Sequence, residues 1–286
     1  MPHVRANGLD IYYEMHGNAA AAPLVMSHGY GGTSQQWLPH LLPLTAKRPL
    51  IVYDTRGHGQ TTVPEDDAAY SLAAFTADLA ALLDALGVEK AHIGGQSLGG
   101  FITARFAVEH PARCASVLLC DTSAGNGADA GAAGDWERFV QMAIGRRADN
   151  VRELGMEEAM RREYFYRKEN DPEFRGTPYT LEDYLRRART TQAAAYAATG
   201  QAIVEREDLT ARLGVITVPT LVMVGDRDGF APCGRRDHAL IPGSRLVVRR
   251  DCGHGFKWRM ETWLAEVEAF LSDVEAGRPV AGEREV

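Results

Sequence analysis

The chain is predicted to be an α/β protein built on a mostly parallel central sheet with helices on both faces. Short apolar runs alternate with longer runs of helical apolar spacing, the order expected of strands and crossover helices. Most of the short runs are apolar throughout, as strands covered on both faces require. The length, 286 residues with 45% hydrophobic and 24% charged side chains, suits a globular core and excludes a disordered or fibrous chain.

The expected strands are residues 10–15, 23–27, 50–53, 91–94, 116–120, 220–224 and 245–248. Between them Leu72, Phe75, Leu79, Leu82, Leu83 and Leu86 recur at helical spacing after Ser71, an N-cap residue type. Near the end Trp263, Leu264, Val267, Phe270, Leu271 and Val274 repeat the pattern before Gly277, a C-cap. From about residue 122 to 205 the strand signal disappears. That stretch opens with SAGNGADAGAAG, small and flexible enough for a hinge or linker. Helical signals follow: Trp136, Phe139, Val140 and Ile144 share a face, Asn150 with Glu153 resembles a capping box, and Thr180 with Asp183 marks another helix start. Residues 1–121 and 206–286 are thus expected to form one discontinuous core, with 122–205 inserted as a helical cap. The tail after Gly277, GRPVAGEREV, is expected to fray.

Composition removes several function classes. Lys and Arg number 31 against 38 Asp and Glu, a net charge of −7, which argues against a nucleic-acid binder. No apolar run reaches the roughly 18 to 20 residues a bilayer span needs, and the start is too polar for a secretory signal, so a soluble cytoplasmic protein without a membrane partner is expected. Cys114, Cys120, Cys233 and Cys252 lack C-x-x-C spacing and are expected to be buried free thiols. No His, Asp or Glu cluster has metal spacing, and no cofactor or metal is expected.

The chemistry concentrates in residues 91–111, AHIGGQSLGGFITARFAVEHP: a strand, the pentapeptide Gly95-Gln96-Ser97-Leu98-Gly99, and a helix. So sharp a strand-to-helix turn forces strained dihedrals on its central residue and needs small neighbours. It lifts Ser97 Oγ to the carboxyl end of the sheet and aims the Leu98 N–H, at a helix N-terminus, at a forming oxyanion. Serine is a weak nucleophile without a base, and the base needs a partner to fix its tautomer. Downstream, Asp226 and Asp228 follow one expected strand, and of nine histidines only His254 follows the last. The order Ser, Asp, His matches that of α/β-hydrolases.

Four segments give the chain a specific likeness: SHGYGGTSQQW (27–37), YDTRGHGQT (53–61), GGQSLGG (94–100), and VPTLVMVGDRDGFAP with CGHG. On these the chain resembles the α/β-hydrolase superfamily along its length outside the insertion, which implies that fold with the cap after the sixth strand. By the same resemblance H-G-Y places the second oxyanion donor at the Tyr30 N–H, the acid is Asp228, and the base is His254. Asp226 stands as an alternative acid, as does Asp121, at a position some relatives use. His28 and His58 are read as bracing their loops, His92 as a strand residue, and Arg56 as a buried structural ion pair. YDTRGHG, LLCDTSA and the run from TTQAAAYAATGQAIVEREDL to PTLVMVGDRD look most like enol-lactonases of aromatic catabolism. Those carry Asn and Glu soon after the histidine, where this chain has GHGFKWRMET.

The insertion fits a lid. Trp136, Phe139, Met142, Tyr164 and Tyr184 are candidates to line a pocket for an apolar or aromatic substrate. Arg161, Arg162, Arg186, Arg187 and Arg189, interleaved with carboxylates, read as solvated helix faces. The function expected is a cofactor-free serine hydrolase of small carboxylic esters or lactones acting through an acyl-enzyme. Alternatives are a carbon-carbon hydrolase of ring-cleavage products or an enol-lactonase and, further off, a perhydrolase, an acyltransferase or a ligand-binding protein. Oligomeric state is not legible.

Overall fold

The computed structural model describes residues 2–38, 40–170, 172–177, 179–255, 257 and 259–286, with the backbone alone at 172 and 173. Its strands are β1 (His3–Ala6), β2 (Leu9–His16), β3 (Leu24–Ser27), β4 (Leu50–Tyr53), β5 (Ala91–Gln96), β6 (Cys114–Cys120), β7 (Thr220–Gly225), β8 (Arg245–Arg249) and β9 (Gly282–Glu285). They form one sheet in the order β1-β2-β4-β3-β5-β6-β7-β8-β9. The β1–β2 and β2–β4 pairs are antiparallel and the rest parallel.

Alternate side chains along the central strands are buried on opposite faces, which is why the sequence reads as apolar runs. Val25, Ile51, Ile93, Val117, Val222 and Val248 join the cluster under α1 (Leu72–Ala85) and α2 (Leu98–Glu109). Met26, Val52, Leu118, Met223 and Val247 join the opposite one, where Trp37 stacks on Trp263 with ring centroids 5.8 Å apart. The Ser71 side chain accepts the Ala74 N–H at the start of α1, as its residue type predicts. Asp78 on α1 forms the expected buried pair with Arg56, at 2.6 Å.

Between β6 and β7 lie α3 (Ala132–Leu154), α4 (Met156–Asn170), α5 (Pro172–Arg175), α6 (Leu181–Thr190) and α7 (Ala193–Val204). Thr180 and Asp183 form the expected capping box. Asn150 and Glu153 do not. Both lie exposed inside α3, which continues because Ala148 and Val151 on its inner face stay buried, and it ends at Gly155 with φ 76°. After the insertion come α8 (Ala231–Leu240) and α9 (Met260–Glu275), with Gly277 left-handed just beyond α9.

Two strands escaped the sequence reading. β1 turns into β2 through Asn7-Gly8, both at positive φ, a hairpin signal in its own right. The supposedly frayed tail contains β9, which runs parallel to β8 and is followed by Val286, whose N–H donates to Val248 O. Its side chains are exposed, because an edge strand needs only its backbone for pairing, and charges there discourage further strand addition.

The cap is tied down where the chain enters and leaves it. Buried Glu137 on α3 accepts from Ser123 Oγ, the Gly127 N–H and Arg236 of α8, while Asp237 accepts the Ala124 N–H. On the exit side the Arg206 guanidinium donates to Gly125 O, and Leu209 N–H to Ala124 O.

Candidate active site

Parallel register sets the positions along the carboxyl edge of the sheet. Ser27 lies beside Gly95, Gln96 beside Cys120, and Gly225 beside Arg249, so the residues that follow each strand fall in one row. Ser97 caps α2 at φ 57°, ψ −114°, outside the favoured regions for a residue with a side chain. Glycines make the turn possible. A Cβ on Gly95 would overlap the Gly99 carbonyl, and one on Gly99 would overlap the Ser27 carbonyl. The turn is fixed through its main chain: Ser97 N–H donates to Cys120 O at 3.1 Å, and Ser97 O accepts from Thr122 Oγ1 at 3.0 Å.

His254 Nδ1 lies 2.9 Å from Asp228 Oδ2, and the buried carboxylate is held in turn by the Phe230 N–H on its other oxygen at 3.0 Å. The two aspartates weighed against it have other partners. Asp226 Oδ1 accepts the Cys252 N–H at 3.1 Å, closing the loop that follows β8. Asp121 forms a fully buried pair with Arg249 at 3.1 Å and accepts the Gly255 N–H. Burial pushes the Asp121 carboxyl up, with Arg249 opposing. For His254, desolvation lowers the pKa, but the charge and hydrogen bond of Asp228, with Asp121 behind, outweigh it and leave the imidazole above its ordinary value. The ring is still 43% exposed, which limits the desolvation it suffers.

The oxyanion-loop candidate Tyr30 is held between fixed neighbours. Gly29 N–H donates to Gln36 Oε1 at 3.0 Å and Gly31 N–H to His58 Nε2 at 3.3 Å, which orients the Tyr30 peptide. Its phenol donates to Tyr196 O and its ring stacks on Tyr196 at 4.0 Å, joining the loop to α7. Leu98 opens α2, where first-turn N–H groups have no intrahelical acceptor. His28 and His58 brace as expected: His28 Nε2 accepts the Thr55 N–H at 3.0 Å, and His58 Nδ1 faces Arg56 O at 3.0 Å. His92, inside β5, meets Ser116 Oγ at 2.8 Å.

Burial lowers all three, His28 to about 4, His58 to about 3 and His92 to about 4. Because these folded values lie below the ordinary 6.5, the unfolded chain takes up the protons first. Stability is therefore full above pH 6.5 and falls as pH drops towards 4, by about 1.4 kcal/mol per pH unit for each histidine. His254, raised in the fold, acts with the opposite sign, but only above pH 6.5, so it leaves this acid-side loss unchanged. Urea melts between pH 7.5 and 5 should show that loss, and a flat profile would contradict the burial of these imidazoles.

Of the pocket candidates, Trp136 packs over Gly229 and meets Phe230 edge-on at 6.0 Å, while Phe230 lies 5.5 Å from the His254 ring. Trp136 and half-exposed Phe139 line an open groove of about 920 Å³ that also borders Asp228 and Pro232. Met142 is 58% exposed on the outside of α3. Tyr184 is buried among the cap's own aromatics, with Tyr164 at 5.5 Å and Phe174 at 5.8 Å. Arg161, Arg162 and Arg189 pair with carboxylates on exposed helix faces, whereas Arg187 is half-buried over the Tyr184 ring. Sequence reasoning missed Arg249, Gln36 and Gln96. Gln96 lies inside the pentapeptide, and its amide nitrogen is 3.2 Å from His254 Nε2. Phe256 and Trp258, in the stretch that departs from enol-lactonases, lie outside the described residues. The four cysteines are buried free thiols, as expected. Among the described residues no helix is long and apolar enough to cross a membrane.

Residues 22–259 match the family model described as the alpha/beta hydrolase fold. A putative carbamate hydrolase RutD of Variovorax paradoxus is 30% identical over 252 residues, 86% of this chain and 89% of that one. Against three other putative carbamate hydrolases, from Azorhizobium caulinodans and two strains of Caulobacter vibrioides, the chain spans only 41% to 43% of their length. Among solved structures, the enol-lactonase from Burkholderia xenovorans superposes with a TM-score of 0.79 at 28% identity, over 95% of this chain and 100% of that one. A thermophilic esterase from Thermogutta terrifontis gives 0.78 at 26%, over 95% and 97%.

Proposed function

The chain belongs to the α/β-hydrolase fold family, and from that premise we propose that it is a serine hydrolase of small carboxylic esters or lactones. The observation that supports this best is the contact between His254 Nδ1 and buried Asp228, in the same row of strand ends as the strained Ser97 turn. Asp228 keeps the imidazole proton on Nδ1, so that Nε2 can accept one. His254 removes the Ser97 proton as Oγ attacks the carbonyl carbon. The Tyr30 and Leu98 N–H groups take the oxyanion, each such donor being worth roughly 100- to 1,000-fold in rate. The protonated His254 gives its proton to the leaving alkoxide, then activates a water that releases the acid and frees Ser97. Residues 122–205 act as the lid of this site. The run from Trp136 through Phe230 to His254 favours an apolar or aromatic substrate. Four buried thiols suit a reducing, cytoplasmic setting.

The test is a turnover screen over p-nitrophenyl esters of graded acyl length, lactones, thioesters and one ring-cleavage dienoate. Short esters or lactones should be hydrolysed, with activity falling as pH drops through the raised pKa of His254. Turnover of the dienoate alone would replace this reading with carbon-carbon bond hydrolysis.

A further inference from the structure

Two glutamines connect the loop that carries Tyr30 to the far nitrogen of His254. Gly29 N–H, which can only donate, meets Gln36 Oε1 at 3.0 Å and thereby fixes which end of that amide is which. Gln36 Nε2 then donates to Gln96 Oε1 at 3.2 Å, which fixes the second amide in the same sense. Gln96 presents its Nε2, again only a donor, to His254 Nε2 at 3.2 Å. At the other side of the ring Nδ1 faces the Asp228 carboxylate, which can only accept. Both nitrogens therefore have their roles dictated from outside: a proton on Nδ1 and a lone pair on Nε2.

The glycines of the Tyr30 loop make room for this chain. A Cβ on Gly29 would sit 2.8 Å from Gln96 Oε1, and one on Gly32 the same distance from Gln36 Oε1. The loop sequence thus admits the amides as well as turning the backbone. Gln96 is also buried.

We propose that Gln96, oriented by Gln36, is a positioning residue that holds resting His254 as the neutral tautomer with Nε2 ready to accept. This rests on the hydrolase reading for its role in turnover. A protonated Nε2 cannot accept from an amide N–H, so the relay opposes the imidazolium in the resting site. It yields that lone pair as the Ser97 proton arrives. The charged groups that face or back His254 are Asp228 and Asp121, the latter paired with Arg249, and Arg167 from α4. The variants below leave all four in place.

Nitrogen-15 NMR of the wild-type imidazole above neutral pH should show Nδ1 protonated and Nε2 bare. Gln96→Met removes the donor without adding charge, and should raise both the NMR titration midpoint of His254 and the acid limb of kcat/KM by about half a pH unit to one unit. Gln96→Glu presents a carboxylate to Nε2 and should raise them by about one unit or more. Gln36→Leu frees the Gln96 amide to turn, and should shift them the same way by less. A brace with no hold on the base would lower kcat and leave the midpoints where they are. Midpoints of Gln96→Met and Gln96→Glu coincident with wild type would overturn the proposal, as would a wild-type tautomer with the proton on Nε2. If the Gln96 variants do not fold, the wild-type tautomer and Gln36→Leu decide. The NMR titration needs no substrate, so the relay and the hydrolase reading can fail separately.

Discussion

Ser97→Ala should lower p-nitrophenyl ester turnover by roughly 10⁴- to 10⁶-fold and abolish labelling by a fluorophosphonate probe. The size follows from the proposed mechanism: without Oγ there is no acyl-enzyme, and the proposed base and N–H donors are left to assist direct attack by water. The fold should survive. What holds position 97 is its main chain, through Cys120 O and the Thr122 hydroxyl, and alanine suffers the same φ of 57° that serine already bears. A melting curve beside the activity assay separates loss of chemistry from loss of structure. Equal, low labelling of folded wild type and variant would remove the activated serine from consideration.

The second large effect distinguishes three neighbouring aspartates. Asp228→Asn should cost about 10⁴-fold in kcat, because an amide can donate to Nδ1 and turn the imidazole into the wrong tautomer. Residual activity should also persist to lower pH, since the charge that holds the His254 pKa up is gone. Asp226→Asn should cost far less: its role is to accept the Cys252 N–H, which an asparagine carbonyl can still do. Asp121 is committed to Arg249 and the Gly255 N–H, so its replacement should appear first as lost stability. The reverse ranking of Asp226 and Asp228 would move the acid.

What the sequence disclosed was local. Gly95 and Ser97 announce their turn because the steric demand lies within five residues, though Gly99 answers to the Ser27 carbonyl of β3, and Ser71 and Thr180 announce helix starts because each cap bonds three residues ahead. Asn150 and Glu153 mislead for the complementary reason. They have the right side chains for a cap, but burial of Ala148 and Val151 on the other face of α3 keeps the helix going. β9 was invisible because edge pairing uses only peptide groups, and its exposed Glu283, Arg284 and Glu285 look like a solvated tail. Gln36 and Gln96 are sixty positions apart, and only the register of β3 beside β5 makes them neighbours. Arg249 reads as one of a pair of arginines ending a strand, and nothing local says that it meets Asp121.

The ties at the two ends of the insertion have a mechanical consequence. Glu137, Arg236, Ser123 and Asp237 on the way in, and Arg206 and Leu209 on the way out, fasten both crossings to each other and to α8, on one side of the site. On the opposite side, the bonds among the described residues include Gly59 N–H to Thr190 O, Tyr30 to Tyr196 O, and Lys257 to Asp183 at its margin. A body fixed this way behaves as a cantilever. Thermal displacement should grow with distance from the knot at 123–137, and on the proposed lid role the swing that admits a ligand should be greatest at α6, beside the loops carrying Tyr30 and His58.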